Sequence, residues 1–251
     1  GNKKVDYVIV QHTELDHSGS LIRLLADYPE ATVVGTKAAI TYLKNILNKE
    51  FKFIEANAKT EISLGEITLK FIPAPNVHWP DTMFTYVKER NLLFTCDFTG
   101  SHYCPEGKIT DSLNDEYFEE MEYYFNCIMG PFKPFVKKAL EKIKDLKIDM
   151  IAPSHGPIHM ANIDQILGLY DKWSTEPKID KKAIEIFYIS AYGNTEMMAK
   201  FMHKKLTEKG FKVGLTEMTE IPFEESIAKL EKAAGFMIGS PTLNQDAVKP
   251  A

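Results

Sequence analysis

Four ionisable side chains lie close together near the start of the chain, His12, Glu14, Asp16 and His17, in the pattern H-x-E-x-D-H. They directly follow the β-branched residues 5–10, which predict a strand, and loops at strand ends commonly carry functional sites. Two imidazoles and two carboxylates this close together repel one another or lose hydration unless a positive ion lies among them. The pattern therefore predicts a metal site.

Three further candidate ligands occur later, His78 in N-V-H-W-P-D, Asp97 in T-C-D-F-T-G and His155 in P-S-H-G-P. Each has an ordinary alternative, because a lone histidine is often a hydrogen-bonded surface or core residue and an aspartate often caps a turn. Glu14 by itself could be a solvated loop charge. Asp97 and His155 each follow a predicted strand, so one edge of the scaffold can bring them to the cluster at residues 12–17.

The type of metal depends on the donor set. Imidazole and carboxylate ligands without a thiolate suit zinc, iron or manganese, and affinity alone does not select among them. Two neighbouring metals need a bridging carboxylate, which Asp97 can supply, and the carboxylate of Glu14 modestly favours iron over zinc. A zinc-dependent hydrolase, in which a metal-bound hydroxide attacks an ester or amide, is the alternative.

A second motif joins a predicted strand to a predicted helix at Ser190, Ala191, Tyr192, Gly193, Asn194 and Thr195. Backbone N–H groups, the helix start and the hydroxyl groups of such a loop can enclose a phosphate. The alternative is an ordinary turn in which Asn194 or Thr195 caps the helix. A related segment, residues 239–244 (G-S-P-T-L-N), follows another predicted strand, and strand ends are where doubly wound sheets bind ligands.

Hydrophobic patterning predicts the elements that position these motifs. We expect strands at 5–10, 32–35, 51–55 and 149–152, hairpins over 61–73 and 83–95, and helices at 20–28, 37–47, 115–128, 134–146 and 163–173. The polar stretch 175–182 (T-E-P-K-I-D-K-K) predicts a linker. Beyond it, strands at 183–190, 211–217 and 235–239 alternate with helices at 194–209 and 223–233, which indicates right-handed crossovers and a parallel sheet. We therefore expect two domains, 1–176 and 183–251.

Composition restricts the class of protein. Hydrophobic residues make up 44% and charged residues 26% of the 251 residues, as in a globular protein. The net charge of −5 argues against nucleic acid as a partner, and neither a membrane-spanning stretch nor a secretory leader is evident. The three cysteines form no C-x-x-C pair, which favours free thiols in the cytoplasm.

The motifs together resemble those of the flavodiiron proteins, also called A-type flavoproteins, which reduce oxygen or nitric oxide. Zinc hydrolases on the related scaffold usually carry H-x-H-x-D-H, whereas this family carries H-x-E-x-D-H, as here. The family pattern continues with H-W-P-D, a C-D-F turn and S-H-G-P, which match residues 78–81, 96–98 and 154–157. The resemblance extends over residues 5–250.

The resemblance implies an α/β fold class: a metallo-β-lactamase-like αββα sandwich followed by a partial flavodoxin-like doubly wound parallel sheet. We expect an internal fragment, without the leading strands of the first domain and the last strands of the second. One iron would be held by His12, Glu14 and His78, and the other by Asp16, His155 and the further candidate His17, with Asp97 bridging. Zinc is the candidate substitute for iron at these ligands. The remaining histidines, His102, His159 and His203, are expected to be structural or surface residues, with His102 a candidate neighbour of the ligands.

By the same resemblance, residues 190–195 form the phosphate loop of FMN, and Ser240, Pro241, Thr242 and Asn244 approach its isoalloxazine ring. The family passes electrons from FMN to the di-iron pair, which reduces oxygen to water or nitric oxide to nitrous oxide. It assembles as a head-to-tail homodimer and takes electrons from rubredoxin or its reductase. A non-catalytic fragment is a further alternative to this function.

Overall fold

The computed structural model describes residues 4–107, 109–110, 114–176, 179–243 and 245–249. The chain divides into two units, Gly1–Thr175 and Glu176–Ala251, which are described separately below. Among the described residues, none of the helices combines the length and the apolar character needed to cross a bilayer.

The first unit begins with a small parallel sheet. Its strands β1 (Tyr7–Ile9), β2 (Thr32–Gly35) and β3 (Phe53–Glu55) pair in the order β1-β2-β3. The short helix α1 (Leu15–Ser18) and helix α2 (Leu21–Asp27) connect β1 to β2, and α3 (Lys37–Leu47) connects β2 to β3. One apolar cluster joins the sheet to α2 and α3 through Val10, Leu21, Leu25, Ala31, Val33, Ile40, Leu43 and Leu47. This sheet is therefore covered by helices on one face.

A five-stranded sheet forms the next layer. It consists of β4 (Glu61–Ser63), β5 (Thr68–Pro73), β6 (Met83–Val87), β7 (Leu92–Cys96) and β8 (Met150–Pro153), paired in chain order. The first three pairings are antiparallel and the β7–β8 pairing is parallel. All five residues of β6 are buried, as expected for a strand whose two faces both meet other layers.

Three longer α-helices follow among the described residues of this unit, α4 (Asp115–Tyr124), α5 (Lys133–Ile143) and α6 (Ile163–Trp173). They bury aromatic and aliphatic side chains against the five-stranded sheet, among them Tyr117, Met121, Val136 and Tyr170 against Phe84 and Leu93. Between the two sheets lies a third cluster of Val34, Ala56, Ile62, Leu69, Phe71, Met83 and Val87. The layers are thus helix, sheet, sheet and helix, the predicted αββα sandwich.

The second unit is a parallel sheet with a helix on each face. Strands β9 (Asp180–Tyr188), β10 (Lys212–Glu217) and β11 (Ala233–Gly239) pair in the order β10-β9-β11. Helix α7 (Asn194–Glu208) packs on one face through Ala199 and Leu206, and α8 (Phe223–Leu230) packs on the other through Leu230. A hairpin of β12 (Thr242–Leu243) and β13 (Asp246–Ala247) follows. The topology agrees with the predicted start of a flavodoxin-like sheet.

Several element ends are shifted by one to three residues from the predictions, and three differences change an element or its start. Residues 15–18 form α1 inside the predicted loop, and the helix predicted over 115–128 becomes a π-helical turn after Tyr124. The predicted linker 175–182 runs into β9, which begins at Asp180; its residues 177–178 lie outside the described part of the chain. Asp180 pairs with Ala233 although residues 180–182 are all exposed. Backbone pairing without burial leaves no hydrophobic pattern, so the sequence did not show where this strand starts.

Candidate metal centre and phosphate loop

The seven predicted ligands lie together at one edge of the first unit. Residues 12–14 follow β1, while Asp16 and His17 lie on α1. His78 lies in the turn between β5 and β6, Asp97 directly follows β7 and His155 follows β8. The backbone of His78 has a φ of 60°, an uncommon conformation for a residue other than glycine that often marks functional sites.

The first ligand set consists of His12, Glu14 and His78. The Nε2 atoms of His12 and His78 each lie 3.2 Å from Glu14 Oε2. Oδ2 of Asp97 lies 3.1 Å from His78 Nε2 and 3.6 Å from His12 Nε2. These four side chains place their ligand atoms within 4.8 Å of one another, as the donors around one metal ion do.

The second ligand set consists of Asp16, His17 and His155. Oδ2 of Asp16 lies 3.2 Å from His155 Nε2 and 3.5 Å from His17 Nε2. The other oxygen of Asp97, Oδ1, lies 3.0 Å from His17 Nε2 and 3.3 Å from His155 Nε2. Asp97 therefore presents one carboxylate oxygen to each set, which is the arrangement that a bridging ligand needs.

Two buried atoms at the centre of the cluster lack hydrogen-bond partners among the described residues, His17 Nε2 and Asp97 Oδ1. They approach to 3.0 Å without hydrogen-bond alignment. Burial would raise the pKa of Asp97, but the imidazoles of His155, His17 and His78 outweigh it and hold that pKa far below its usual range. Asp97 is thus ionised and lacks a donor on one side. A metal cation satisfies both atoms, so these residues fit a two-metal centre.

Asp81 supports the first ligand set from behind, and the sequence analysis assigned it no role. Its side chain is fully buried, with Oδ1 3.2 Å from His12 Nδ1, while Oδ2 accepts the backbone N–H of Thr13 at 2.7 Å. Burial alone would lower the pKa of His12, but Asp81 raises it above its ordinary value. Carboxylates that hold the far nitrogen of a ligand imidazole are common at metal sites. The position of Asp81 in the H-W-P-D motif is the sequence feature that could have indicated this role.

A close backbone contact holds His155 in the second set. The backbone N–H of Ser101 donates to the carbonyl oxygen of His155 at 3.2 Å. The next residue, Gly156, has a φ of +83°, and a Cβ atom there would lie 2.3 Å from Ser101 Oγ. Glycine is therefore required in the S-H-G-P segment, both for its backbone conformation and for the space it leaves.

An apolar cavity of about 620 Å³ adjoins the first ligand set. It is lined by Thr13, Glu14, Leu15, Tyr42, Asn45, Ile46 and Trp79. The Trp79 ring, which also lines the cavity, contacts the His12 ring edge-on at 5.0 Å between centroids. A flat, partly apolar group in this cavity would lie next to the ligand Glu14.

In the second unit, residues 190–195 form the loop between β9 and α7. Gly193 precedes the helix with a φ of +83° and provides no side-chain cap. Ser190 Oγ accepts the N–H of Glu196 at 3.2 Å, and the Tyr192 side chain is exposed. The start of a 15-residue helix suits a phosphate group.

The second predicted flavin segment lies beside this loop. At the end of β11, a Cβ on Gly239 would lie 3.0 Å from Thr195 Cγ2. Ser240 Oγ accepts the N–H of Val248 at 2.9 Å and donates to the carbonyl of Pro241 at 2.9 Å, so its hydroxyl orders the following turn. Thr242 is exposed in β12. Asn244, the last predicted flavin residue, lies outside the described part of the chain.

Comparisons with known proteins agree with both halves. The model of the ODP family β-lactamases matches residues 1–156, and the flavodoxin model matches residues 186–249. The flavo-diiron protein FprA2 of Clostridium acetobutylicum is 38% identical over 257 aligned positions, covering 98% of this chain. The chain belongs to the flavodiiron family.

Solved structures show the same fold. The flavodiiron protein from Giardia intestinalis matches with a TM-score of 0.69 and 29% identity, over 97% of this chain and 60% of that one. The rubredoxin oxygen:oxidoreductase from Desulfovibrio gigas matches with a TM-score of 0.70 and 24% identity, over 97% and 62%. The flavodiiron chain spans 64% of the length of FprA2 and 43% of a diflavin flavoprotein of Synechocystis.

The predicted family and fold class are thereby confirmed. The comparisons lend no support to zinc as a substitute metal or to the zinc hydrolase alternative. Among the other histidines, His159 is buried with Nε2 2.9 Å from the Thr99 carbonyl oxygen, and His203 is half-buried on α7. His102 is exposed beside the second ligand set.

Proposed function

We propose that this chain provides the di-iron centre and the FMN phosphate loop of an oxidoreductase that reduces oxygen to water, nitric oxide to nitrous oxide, or both. The observation that carries the proposal is the Asp97 carboxylate, which faces His12 and His78 with one oxygen and His17 and His155 with the other. A bridging carboxylate between two imidazole-containing sets serves a pair of metals rather than a single ion.

The ligand roles follow from these contacts. His12, Glu14 and His78 would hold one iron, Asp16, His17 and His155 would hold the other, and Asp97 would contribute one carboxylate oxygen to each. When bound, the irons and FMN supply the redox chemistry, and the protein supplies their positions and electrostatic surroundings. The buried imidazole of His12, held by Asp81, fixes the first set. The partly exposed side chains of Asp16 and His155 (51% and 31%) leave the second set accessible to a small substrate.

Iron is favoured because Glu14 supplies an oxygen donor where an imidazole-rich zinc pair has a histidine. Glu14 Oε2 approaches both imidazoles of the first set at 3.2 Å, which supports a place for this carboxylate among the ligands. Harder, oxygen-rich donor sets shift preference away from zinc among metals of similar affinity.

Electron supply is assigned to the second unit. Residues 190–195 and the start of α7 would hold the FMN phosphate, with Ser240, Pro241, Thr242 and Asn244 near the ring. We further propose residues 1–176 and 183–251 as the two domains, rubredoxin or its reductase as electron donor, and a head-to-tail homodimer. The apolar cavity beside Glu14 suits a flavin ring supplied by a second copy. The free thiols of Cys104 and Cys127, both exposed, favour a reducing cytoplasm.

Metal content tests the ligand assignment directly. The chain, expressed in iron-rich medium and purified without chelators, is scored for iron and zinc per chain by plasma mass spectrometry. We expect close to two irons per chain, and a loss of iron from both sets in Asp97→Asn, because each set loses a donor. Glu14→Ala should lose iron mainly from the first set, and Glu66→Ala, at an exposed acidic residue outside the cluster, should retain it. Zinc in all variants would contradict the di-iron proposal.

Turnover tests the reaction. Iron-loaded protein with bound FMN, reduced anaerobically, is mixed with oxygen or nitric oxide, and flavin reoxidation is followed by absorbance. Reoxidation that is faster than in Asp97→Asn supports the oxidoreductase. Equal rates in both proteins would favour a non-catalytic fragment.

A further inference from the structure

His102 lies beside the second ligand set but is not a predicted ligand. It follows Ser101, whose backbone holds the His155 carbonyl, and its side chain is exposed. Its ring contacts Tyr124 edge-on, with centroids 4.9 Å apart and planes at 90°, and its centroid is 6.1 Å from that of His155. Among the described residues, the rings in contact with His155 are those of His17, His102 and Tyr124.

This position is on the solvent side of the centre. Asp97 is 4% exposed, whereas the side chains of His155 and Asp16 are 31% and 51% exposed. A small molecule entering from solvent therefore reaches the second set past His155 and Asp16. His102 is itself exposed and lies next to His155.

Tyr124 gives the His102 ring a fixed support. The tyrosine is 2% exposed and lies at the end of α4, so its ring has little freedom to move. Edge-to-face packing on it restricts the rotamers of His102. An otherwise exposed histidine is thus held beside the ligands.

We propose that His102 is an additional binding residue, which donates an N–H hydrogen bond to a small anion or diatomic molecule held at the second ligand set. The inference rests on the di-iron function proposed above. Neutral imidazole always carries one N–H donor, so this role does not depend on a change in protonation.

Azide, a small anion that binds ferric iron, tests the proposal. Its dissociation constant is measured on the iron-loaded oxidised protein by titrating the azide-to-iron charge-transfer absorption, with iron content scored in parallel. His102→Ala should weaken azide binding by about tenfold and shift the absorption maximum, as expected for the loss of one hydrogen bond to an anion. His102→Gln retains an N–H donor and should recover most of the affinity. His203→Ala, in the second unit, should match the unchanged protein.

Three results would overturn the proposal. Unchanged azide affinity in His102→Ala at full iron content would show that the residue does not contact the anion. Equal losses in His102→Ala and His102→Gln would exclude a donor role. Loss of iron from His102→Ala would make the residue part of the metal-holding structure. Absence of iron from the unchanged protein would instead refute the di-iron function, and this inference with it.

Discussion

Removing the Asp81 carboxylate should weaken the metal centre without touching a ligand. The side chain serves two buried groups, His12 Nδ1 at 3.2 Å and the Thr13 N–H at 2.7 Å. Loss of the carboxylate that orients a ligand histidine costs about 10- to 100-fold in metal affinity, which corresponds to about 1.4–2.8 kcal/mol. The Thr13 N–H, left without an acceptor, costs about 1–3 kcal/mol of folding free energy. Asp81→Ala should therefore lower both iron affinity and stability.

The two effects can be measured separately. Iron affinity is obtained by competition with a chelator of known strength, and stability by urea unfolding of the metal-free chain, so that metal binding does not contribute. Asp81→Asn keeps the size of the side chain, but its single oxygen can accept from only one of the two donors. It should therefore fall between the unchanged chain and Asp81→Ala. Asp145→Asn, at an exposed acidic residue on the same unit, is the matched control.

An Asp81→Ala variant with unchanged iron affinity would refute the reasoning, because His12 would then keep its orientation without the carboxylate. A loss of iron with unchanged stability of the metal-free chain would show that Thr13 finds another acceptor. If Asp81→Ala and Asp145→Asn have the same iron affinity and the same stability, Asp81 has no supporting role at the site.

Three further predictions concern single positions. Gly156→Ala should reduce iron at the second set and destabilise the fold, because its Cβ would lie 2.3 Å from Ser101 Oγ; iron per chain and urea unfolding measure this, and full iron content would contradict it. Burial raises the pKa of Glu185 above its ordinary value of 4.5, so its contribution to stability is largest at low pH and is lost as pH rises through the folded pKa. Glu185→Gln should remove that part of the pH dependence, compared by unfolding titrations at acidic and neutral pH; parallel pH profiles would contradict the burial argument. Thr36 Oγ1 caps α3 by accepting the Ala39 N–H at 3.1 Å, so Thr36→Ala should cost about 0.5–2 kcal/mol in urea unfolding, and Thr36→Ser should restore most of it.

Local hydrophobic patterning was sufficient to predict the elements that bury one face. Helix α3 is predicted over 37–47 and observed as Lys37–Leu47, because its buried residues recur at helical spacing, Ala39, Ile40, Leu43 and Leu47. Strand β2, predicted over 32–35, agrees in the same way. The boundaries that differ lie where burial does not follow the pairing, as at the exposed start of β9.

The sequence by itself determined which side chains could bind metal and phosphate, because donor chemistry and short spacing are local properties. Candidate ligands can be identified without any knowledge of the fold in the motifs H-x-E-x-D-H, H-W-P-D and S-H-G-P. Only the tertiary structure decided how these groups meet. It brought His78 and His155 to opposite oxygens of Asp97, directed Asp81 to His12 and laid His102 against Tyr124. Such contacts join residues far apart in the chain, and they depend on the packing of two sheets and their helices, which no local pattern records.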